Sequence, residues 1–351
     1  MKNRIYLDHN ATTPLRAEAR EAMIAAMDVV GNPSSVHGEG RGALAVIQKA
    51  RRQVAEAFGV GENDIVWTSG ATESAAMALA GRDLRAGDVE HDAVAAWCVN
   101  DVAVSADGLV GADAEVMQWV NSETGVVQSV PAGTWFSDMT QAFGKLPVSF
   151  AWADVTMACA SAHKLGGPKG VGCLILKRGT DIPAQLKGGG QELGRRAGTE
   201  NVTGIAGFGA AAEAAVKDLN DGKWRQVAQL RNILEKALED SGLPIILVGN
   251  DVERLPNTLC FAAAGWKGET QVMQMDLAGF AISAGSACSS GKVKASRVLK
   301  AMGYSDDVAS SAVRVSLGLS NTEEEITQFA ETWIAAYKKF LVRSGRTGET
   351  I

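Results

Sequence analysis

The stretch Ser161-Ala162-His163-Lys164-Leu165-Gly166-Gly167-Pro168-Lys169-Gly170 places one lysine directly after an apolar run (155–160) and before a Gly/Pro-rich turn and a second apolar run (171–176). A lysine held where a strand runs into a loop is partly desolvated. Desolvation lowers its pKa and leaves a neutral amine able to condense with an aldehyde. The Ser161 hydroxyl and the His163 imidazole just before it are suited to a phosphate. Taken alone, Lys164 reads more readily as a surface lysine at a strand end, and the rest of the chain has to overturn that reading.

Other polar clusters also follow apolar runs. Thr68-Ser69-Gly70-Ala71-Thr72-Glu73-Ser74 comes after Ile65-Val66-Trp67 and opens a helix. Its small residues allow close backbone approach, and free N–H groups with the helix dipole favour an anion. The Ala71 N–H and Thr72 are therefore phosphate candidates, with an ordinary N-cap as the alternative. His91, in Glu90-His91-Asp92, offers an imidazole to stack on a flat heteroaromatic ring or a purely structural one. Asn121 and Ser122, in Asn121-Ser122-Glu123-Thr124-Gly125, offer a hydrogen bond to a phenolic oxygen or form a polar turn. Asp138 follows Trp135-Phe136. A carboxylate beside a pyridine nitrogen keeps that nitrogen protonated and makes the ring an electron sink; the other reading of Asp138 is a helix cap. The order phosphate turn, stacking histidine, carboxylate, lysine points to pyridoxal 5'-phosphate.

Two further stretches bear on the reaction. Residues 188–201 form a Gly-rich loop carrying Arg195 and Arg196, a composition suited to anions. Cys288 lies in Ser283-Ala284-Gly285-Ser286-Ala287-Cys288-Ser289-Ser290-Gly291-Lys292, among small polar residues. The pattern predicts an exposed, mobile thiol near lysine, able to ionise and act as a nucleophile. Cys159 and Cys173, within apolar runs, read as buried structural thiols. Arg314 is a charge inside an apolar strand (311–317) and needs an anionic partner, either a substrate carboxylate or a structural ion pair.

These residues need a scaffold that brings strand ends together. Residues 16–29 and 42–58 read as helices, and from 65 onward short apolar runs alternate with helical stretches. That alternation predicts an α/β fold with a mostly parallel sheet, whose ligand sites lie at the carboxyl ends of the strands. The expected division is a large domain over 15–218 and a smaller α+β domain built from 1–14 and 219–351. The chain has 351 residues, 46% hydrophobic and 21% charged, with net charge −6. No basic patch points to nucleic acid, and no apolar run is long enough to span a membrane. The start lacks a signal-peptide core. Five scattered cysteines without a C-x-x-C pair predict reduced thiols, neither a disulfide frame nor a metal site. A cytoplasmic enzyme is expected.

In order along the chain, Tyr6 to Pro14, Gly31-Asn32-Pro33-Ser34-Ser35-Val36-His37, Thr68 to Ser74, Glu90-His91, Asp138 with Gln141, Ser161 to Gly170, Gly188 to Asn201 and Ser283 to Gly291 resemble the NifS-type cysteine desulfurases. These belong to the class-V aminotransferase family within the fold-type I pyridoxal-phosphate transferases. The resemblance implies a large domain with a mostly parallel central sheet and a smaller α+β C-terminal domain. It implies that Lys164 carries the cofactor, His91 stacks on the ring, Asp138 pairs with the pyridinium nitrogen and Gln141 reaches the ring oxygen. Thr72, Ser161 and His163 would hold the phosphate, beside the Ala71 N–H read above, with Thr199 arriving from the partner of a homodimer, and Arg314 would bind the substrate carboxylate. L-cysteine would become L-alanine, leaving a persulfide on Cys288 for a sulfur acceptor or iron–sulfur scaffold protein.

Two departures from the family's pattern stand out. Ser122 replaces the second of two asparagines, so the ring contact falls to Asn121 or Ser122. The region 92–136 is short and lacks room for a helix between strands near 128–138, which predicts a reduced sheet edge. The alternatives are a selenocysteine lyase, a small aminotransferase of the same superfamily, or an activity-impaired scaffold of a sulfur-transfer complex.

Overall fold

The computed structural model describes residues 4–285 and 295–345. Its central layer is a sheet in which the strands Ile65–Thr68, Gly172–Leu176, Met157–Ser161 and Phe136–Asp138 lie side by side in that order. Gly172–Leu176 runs antiparallel to both neighbours, whereas Phe136–Asp138 and Met157–Ser161 are parallel. Beyond Phe136 the sheet continues through isolated parallel bridges, Val116 to Phe136 and Ala86 to Val116, into the parallel pair Arg85–Gly87 and Val99–Val102. The parallel pairings therefore prevail, as the alternating pattern predicts. Met157–Ser161 and Gly172–Leu176 are buried along their whole length, which explains why they read as continuous apolar runs.

The shortened region leaves its mark at this edge. Among the described residues, no helix lies between Val102 and Phe136, and the run 115–120 forms only isolated bridges. Gly172 is required by close packing. A Cβ there would lie 2.6 Å from Gly70 Cα and 2.7 Å from the Ala160 carbonyl oxygen, so its absence lets the turn after Ile65–Thr68 sit against the sheet.

The helices Ala17–Met27, Gly38–Phe58 and Val202–Asn220 pack together on one face. In Gly38–Phe58 the buried residues Ala43, Ile47, Ala50, Val54 and Phe58 recur at helical spacing, and Gly59 ends the helix in the left-handed conformation (φ 69°). Val202–Asn220 approaches closely through Gly209, where a Cβ would lie 2.6 Å from Ala50 Cα. Phe58, Trp67, Phe143, Ile175 and Phe208 fill this core, with Phe58 stacked on Phe143.

A second, antiparallel sheet orders Ser283–Ala284, Ala312–Ser316, Thr258–Ala262 and Ile246–Leu247. Its separate core contains Leu259, Phe261, Trp266, Phe329, Trp333 and Tyr337. The N-terminal strand Ile5–Tyr6 pairs in parallel with Phe280–Ala281, and Ile5 and Leu7 join the second core. Residues 8–14 then cross from that sheet towards the first one. Two contacts mark the crossing: Asp8 bridges to Ser316, and the Thr13 N–H donates to the His163 carbonyl at 2.9 Å.

Candidate active site

Four turns at strand ends converge on one cavity of about 640 Å³, within the usual range for a small-molecule or cofactor site. Ser69, Gly70, Ala71 and Thr72 line it from the turn after Ile65–Thr68. Ala71 begins the helix Ala71–Leu79, whose first N–H groups lack intrahelical acceptors. The turn is held by a 2.9 Å bond between Thr68 Oγ1 and Ser74 Oγ, and by the Ser69 N–H donating to Glu73 Oε2 at 2.6 Å.

His91 lines the cavity from the second turn and caps Asp92–Ala95. Its Nδ1 accepts the Ala93 N–H at 3.1 Å, so the neutral ring carries its proton on Nε2. The preceding Glu90 is buried. Its Oε1 accepts the Gln118 N–H at 2.7 Å, while Oε2 has no partner. Burial, with Asp138 adding repulsion, pushes the Glu90 carboxyl up to about 8 despite the Gln118 hydrogen bond.

Asp138 and Gln141 enter from the third turn. Asp138 Oδ1 accepts the Thr140 N–H at 2.8 Å and the Cys159 thiol at 3.5 Å. Burial, reinforced by Asp138, holds that thiol well above its ordinary pKa, so it remains a donor. The fourth turn supplies Ser161, His163 and Lys164. Lys164 Nζ donates to the Asn10 carbonyl at 2.6 Å and the Ala11 carbonyl at 3.0 Å. His163 Nδ1 lies 3.2 Å from Thr12 Oγ1. Burial first, then Lys164 and Lys169, lowers its pKa to about 4, so the ring is neutral at neutral pH.

Nine of the expected residues thus line one cavity: Ala71, Thr72, His91, Ser122, Asp138, Gln141, Ser161, His163 and Lys164. Three others, Asn121, Thr199 and Arg314, have different surroundings. Asn121 is absent from the lining. Its Oδ1 accepts the N–H groups of Glu123 and Thr124, both at 2.9 Å, and its Nδ2 donates to the Val89 carbonyl. The carboxamide shapes the turn and leaves Ser122 facing the cavity. Thr199 is exposed and does not line this chain's cavity. Arg314 is buried and pairs with Asp8 at 2.7 Å, while its Nη1 donates to the Ser122 carbonyl at 2.9 Å. Its Nε is buried without a partner. The loop arginines are both engaged, Arg195 with Asp181 and Arg196 with Glu73. Cys288 lies outside the described residues.

The described flanks of the Cys288 segment are both fixed near the cavity. Gly285 lies so close to Glu123 that a Cβ would come 2.1 Å from Oε1. On the other side, Arg297 donates to the Glu90 carbonyl at 2.6 Å and pairs with Asp88 and Asp92 around the His91 turn.

Sequence reasoning missed Asn10 and Lys145. Asn10 is buried and joins both sheets. Its carbonyl accepts from Gln141 Nε2 and Lys164, its Nδ2 donates to Thr258 Oγ1 at 2.8 Å, and its N–H donates to Ser316 Oγ at 2.9 Å. Lys145 is buried four residues after Gln141. That helical spacing was the one available signal.

The cavity's donors fit pyridoxal phosphate. A hydroxyl- and N–H-rich helix start suits the phosphate, a carboxylate the pyridine nitrogen, an imidazole the ring face and an amine the aldehyde. The aminotransferase class-V family model matches residues 5–95 and 113–329, and the chain belongs to that family. The unmatched interval falls in the shortened region. Relatives it matches over nearly the whole chain are named cysteine desulfurase. One from Cereibacter sphaeroides is 37% identical, over 93% of this chain and 94% of that protein. A NifS-like protein from Rickettsia africae has a solved structure with TM-score 0.87 at 30% identity, covering 96% of this chain and all of that one. A protein named SspA, solved in complex with cysteine, gives a TM-score of 0.74 at 26% identity over 89% of this chain and 98% of its own. Enzymes of this class depend on pyridoxal phosphate, and that is this chain's cofactor. Among the described residues there is no cluster of metal ligands, and no helix is long and apolar enough to cross a membrane.

Proposed function

We propose that this chain is a cysteine desulfurase that converts L-cysteine to L-alanine and passes the sulfur on as a persulfide of Cys288. The carrying observation is the convergence of Lys164, Asp138, His91 and the Ala71–Thr72 helix start on one cavity, in a chain related over nearly its whole length to cysteine desulfurases. Lys164 would hold pyridoxal phosphate, with Ala71, Thr72, Ser161 and His163 around its phosphate, His91 on the ring face, Asp138 at the ring nitrogen and Gln141 or Ser122 at the ring oxygen. Bound there, the cofactor supplies an electron sink for the pair released at the substrate Cα.

The protein's own groups carry the remaining tasks. The neutral Lys164 amine takes the Cα proton and later returns it. The Cys288 thiolate attacks the substrate sulfur: an S–S bond forms, the substrate C–S bond breaks, and its electron pair becomes a C–H bond of alanine once protonated. Arg314 is assigned the substrate carboxylate. Its unpartnered Nε supports this reading, while its bond to Asp8 fixes the guanidinium in place.

The two separate cores support a division into 15–218 and 1–14 with 219–351. The exposure of Thr199 suits its assignment to the partner's cavity in a homodimer. An iron–sulfur scaffold or another thiol protein in the cytoplasm is the proposed acceptor. Retention of the lysine, carboxylate and histidine in one cavity favours an active enzyme over a scaffold.

The test is alanine and sulfide release from L-cysteine by cofactor-loaded protein, with Lys164→Ala and Cys288→Ala as controls. Loss of the Lys164 general base should cost about 10²–10⁴-fold or more in rate. Cysteine turnover that persists in Lys164→Ala would remove the assignment.

A further inference from the structure

Lys145 lies behind the cavity, with 3% of its surface exposed. Its amine has two hydrogen-bond acceptors, Gln141 Oε1 at 2.9 Å and Asn10 Oδ1 at 3.3 Å, and both are neutral amides. Among the described residues it forms no ion pair. The same Asn10 accepts Lys164 Nζ through its carbonyl at 2.6 Å, so one asparagine separates the two lysines. Both also line a smaller cavity of about 180 Å³, shared with His9, Thr13, Arg16 and Trp224.

The charged surroundings of Lys145 are mostly cationic or already neutralised. Lys164 and Arg314 face it, Arg314 is paired with Asp8, and Arg16 with Asp218. His9, whose Nδ1 has no partner, is neutral at neutral pH because burial and then Lys145 lower its pKa to about 4. Two like charges held this close form together only at added cost, so each amine disfavours the proton of the other.

We propose that Lys145 is a positioning residue for Lys164: its amine fixes the Gln141 amide, and its charge keeps the proton off the Lys164 nitrogen. The inference rests on the reading of Lys164 as the cofactor-bearing base. Burial, then Lys164 and Arg314, brings Lys145 itself down to about 7, so below that pH its amine carries the charge that Lys164 faces. A Lys164 amine unprotonated near neutral pH is ready to accept the Cα proton.

The experiment is a pH titration of the visible absorbance of holoenzyme, comparing wild type with Lys145→Met and Lys145→Gln. Lys145→Gln keeps an amide hydrogen-bond donor without the charge, and it serves if Lys145→Met fails to fold. Both variants should move the titration midpoint upward by about one pH unit, the size of a nearby like charge. A wild-type midpoint in both variants would overturn the proposal. So would a shift in Lys145→Met with none in Lys145→Gln, because hydrogen bonding alone would then explain it. Lys164→Ala separates the two readings. If it retained the wild-type absorbance, Lys164 would not carry the cofactor and both would fall. If the absorbance required Lys164 but neither Lys145 variant moved it, only this inference would fall.

Discussion

Replacing Glu90 with glutamine tests the electrostatics behind the cavity. Glu90 Oε1 accepts the Gln118 N–H, Oε2 is buried without a partner, and burial with Asp138 pushes the carboxyl up to about 8. The folded protein therefore binds a proton that the unfolded chain releases near 4.5. The sign follows: this group's stabilisation is fully present below about 4.5 and is lost as pH rises through 8. Integrating the proton difference between about pH 5.5 and 8.5 gives a loss on the order of 3 kcal/mol from this residue alone. Glutamine matches the shape of the neutral acid and does not titrate. Glu90→Gln should cost little at the lower pH and gain on wild type by about 3 kcal/mol at the higher one. The assay is denaturant unfolding of cofactor-free protein at both pH values, which keeps ligand binding out of the comparison. Parallel stability curves for wild type and variant would refute the reasoning, since Glu90 would then be charged throughout.

Other expectations follow from packing and charge. Gly172→Ala should cost about 1–3 kcal/mol and weaken cofactor retention, because its methyl group meets the Gly70 backbone; thermal melts and cofactor content check both. Arg314→Ala strands Asp8 and should cost about 3–5 kcal/mol. Adding Asp8→Asn should recover most of that stability without restoring the KM for cysteine; recovery of KM would remove Arg314 from substrate binding. His9 and His163 both have pKa values lowered to about 4 from 6.5, so the unfolded chain binds more protons and stability should fall as pH drops through that window. His9→Asn should flatten part of the slope in acid unfolding curves.

The site's active groups were legible because each follows an apolar run. Lys164 and Thr72 stand just beyond buried strands and Asp138 ends one, where strand ends form ligand sites. Asn10 and Lys145 were hidden because tertiary contact makes them matter: Asn10 meets Lys145 across 135 residues of sequence. The run 115–120 reads as a strand, yet among the described residues it forms only isolated bridges, through Val116 and Val120. The helix Gly38–Phe58 begins four residues before the expected start at 42. Gly38, Gly40 and Gly42 argue against helix by propensity. The His37 cap on the Gly40 N–H and the tight fit of Gly40 against Ser35 outweigh them. Arg314 stayed ambiguous until its Asp8 bond and its unpartnered Nε were seen together.

The central claim is that Lys164 and Cys288 divide one reaction, the lysine moving the proton and the thiol taking the sulfur. A single-turnover experiment with L-cysteine, read by alanine formation and by mass spectrometry of the peptide containing Cys288, tests it directly. The account predicts one alanine per active site, one added sulfur atom on Cys288, and neither product from Lys164→Ala. Alanine formed without added sulfur on Cys288, or sulfur gained by Lys164→Ala, would contradict it.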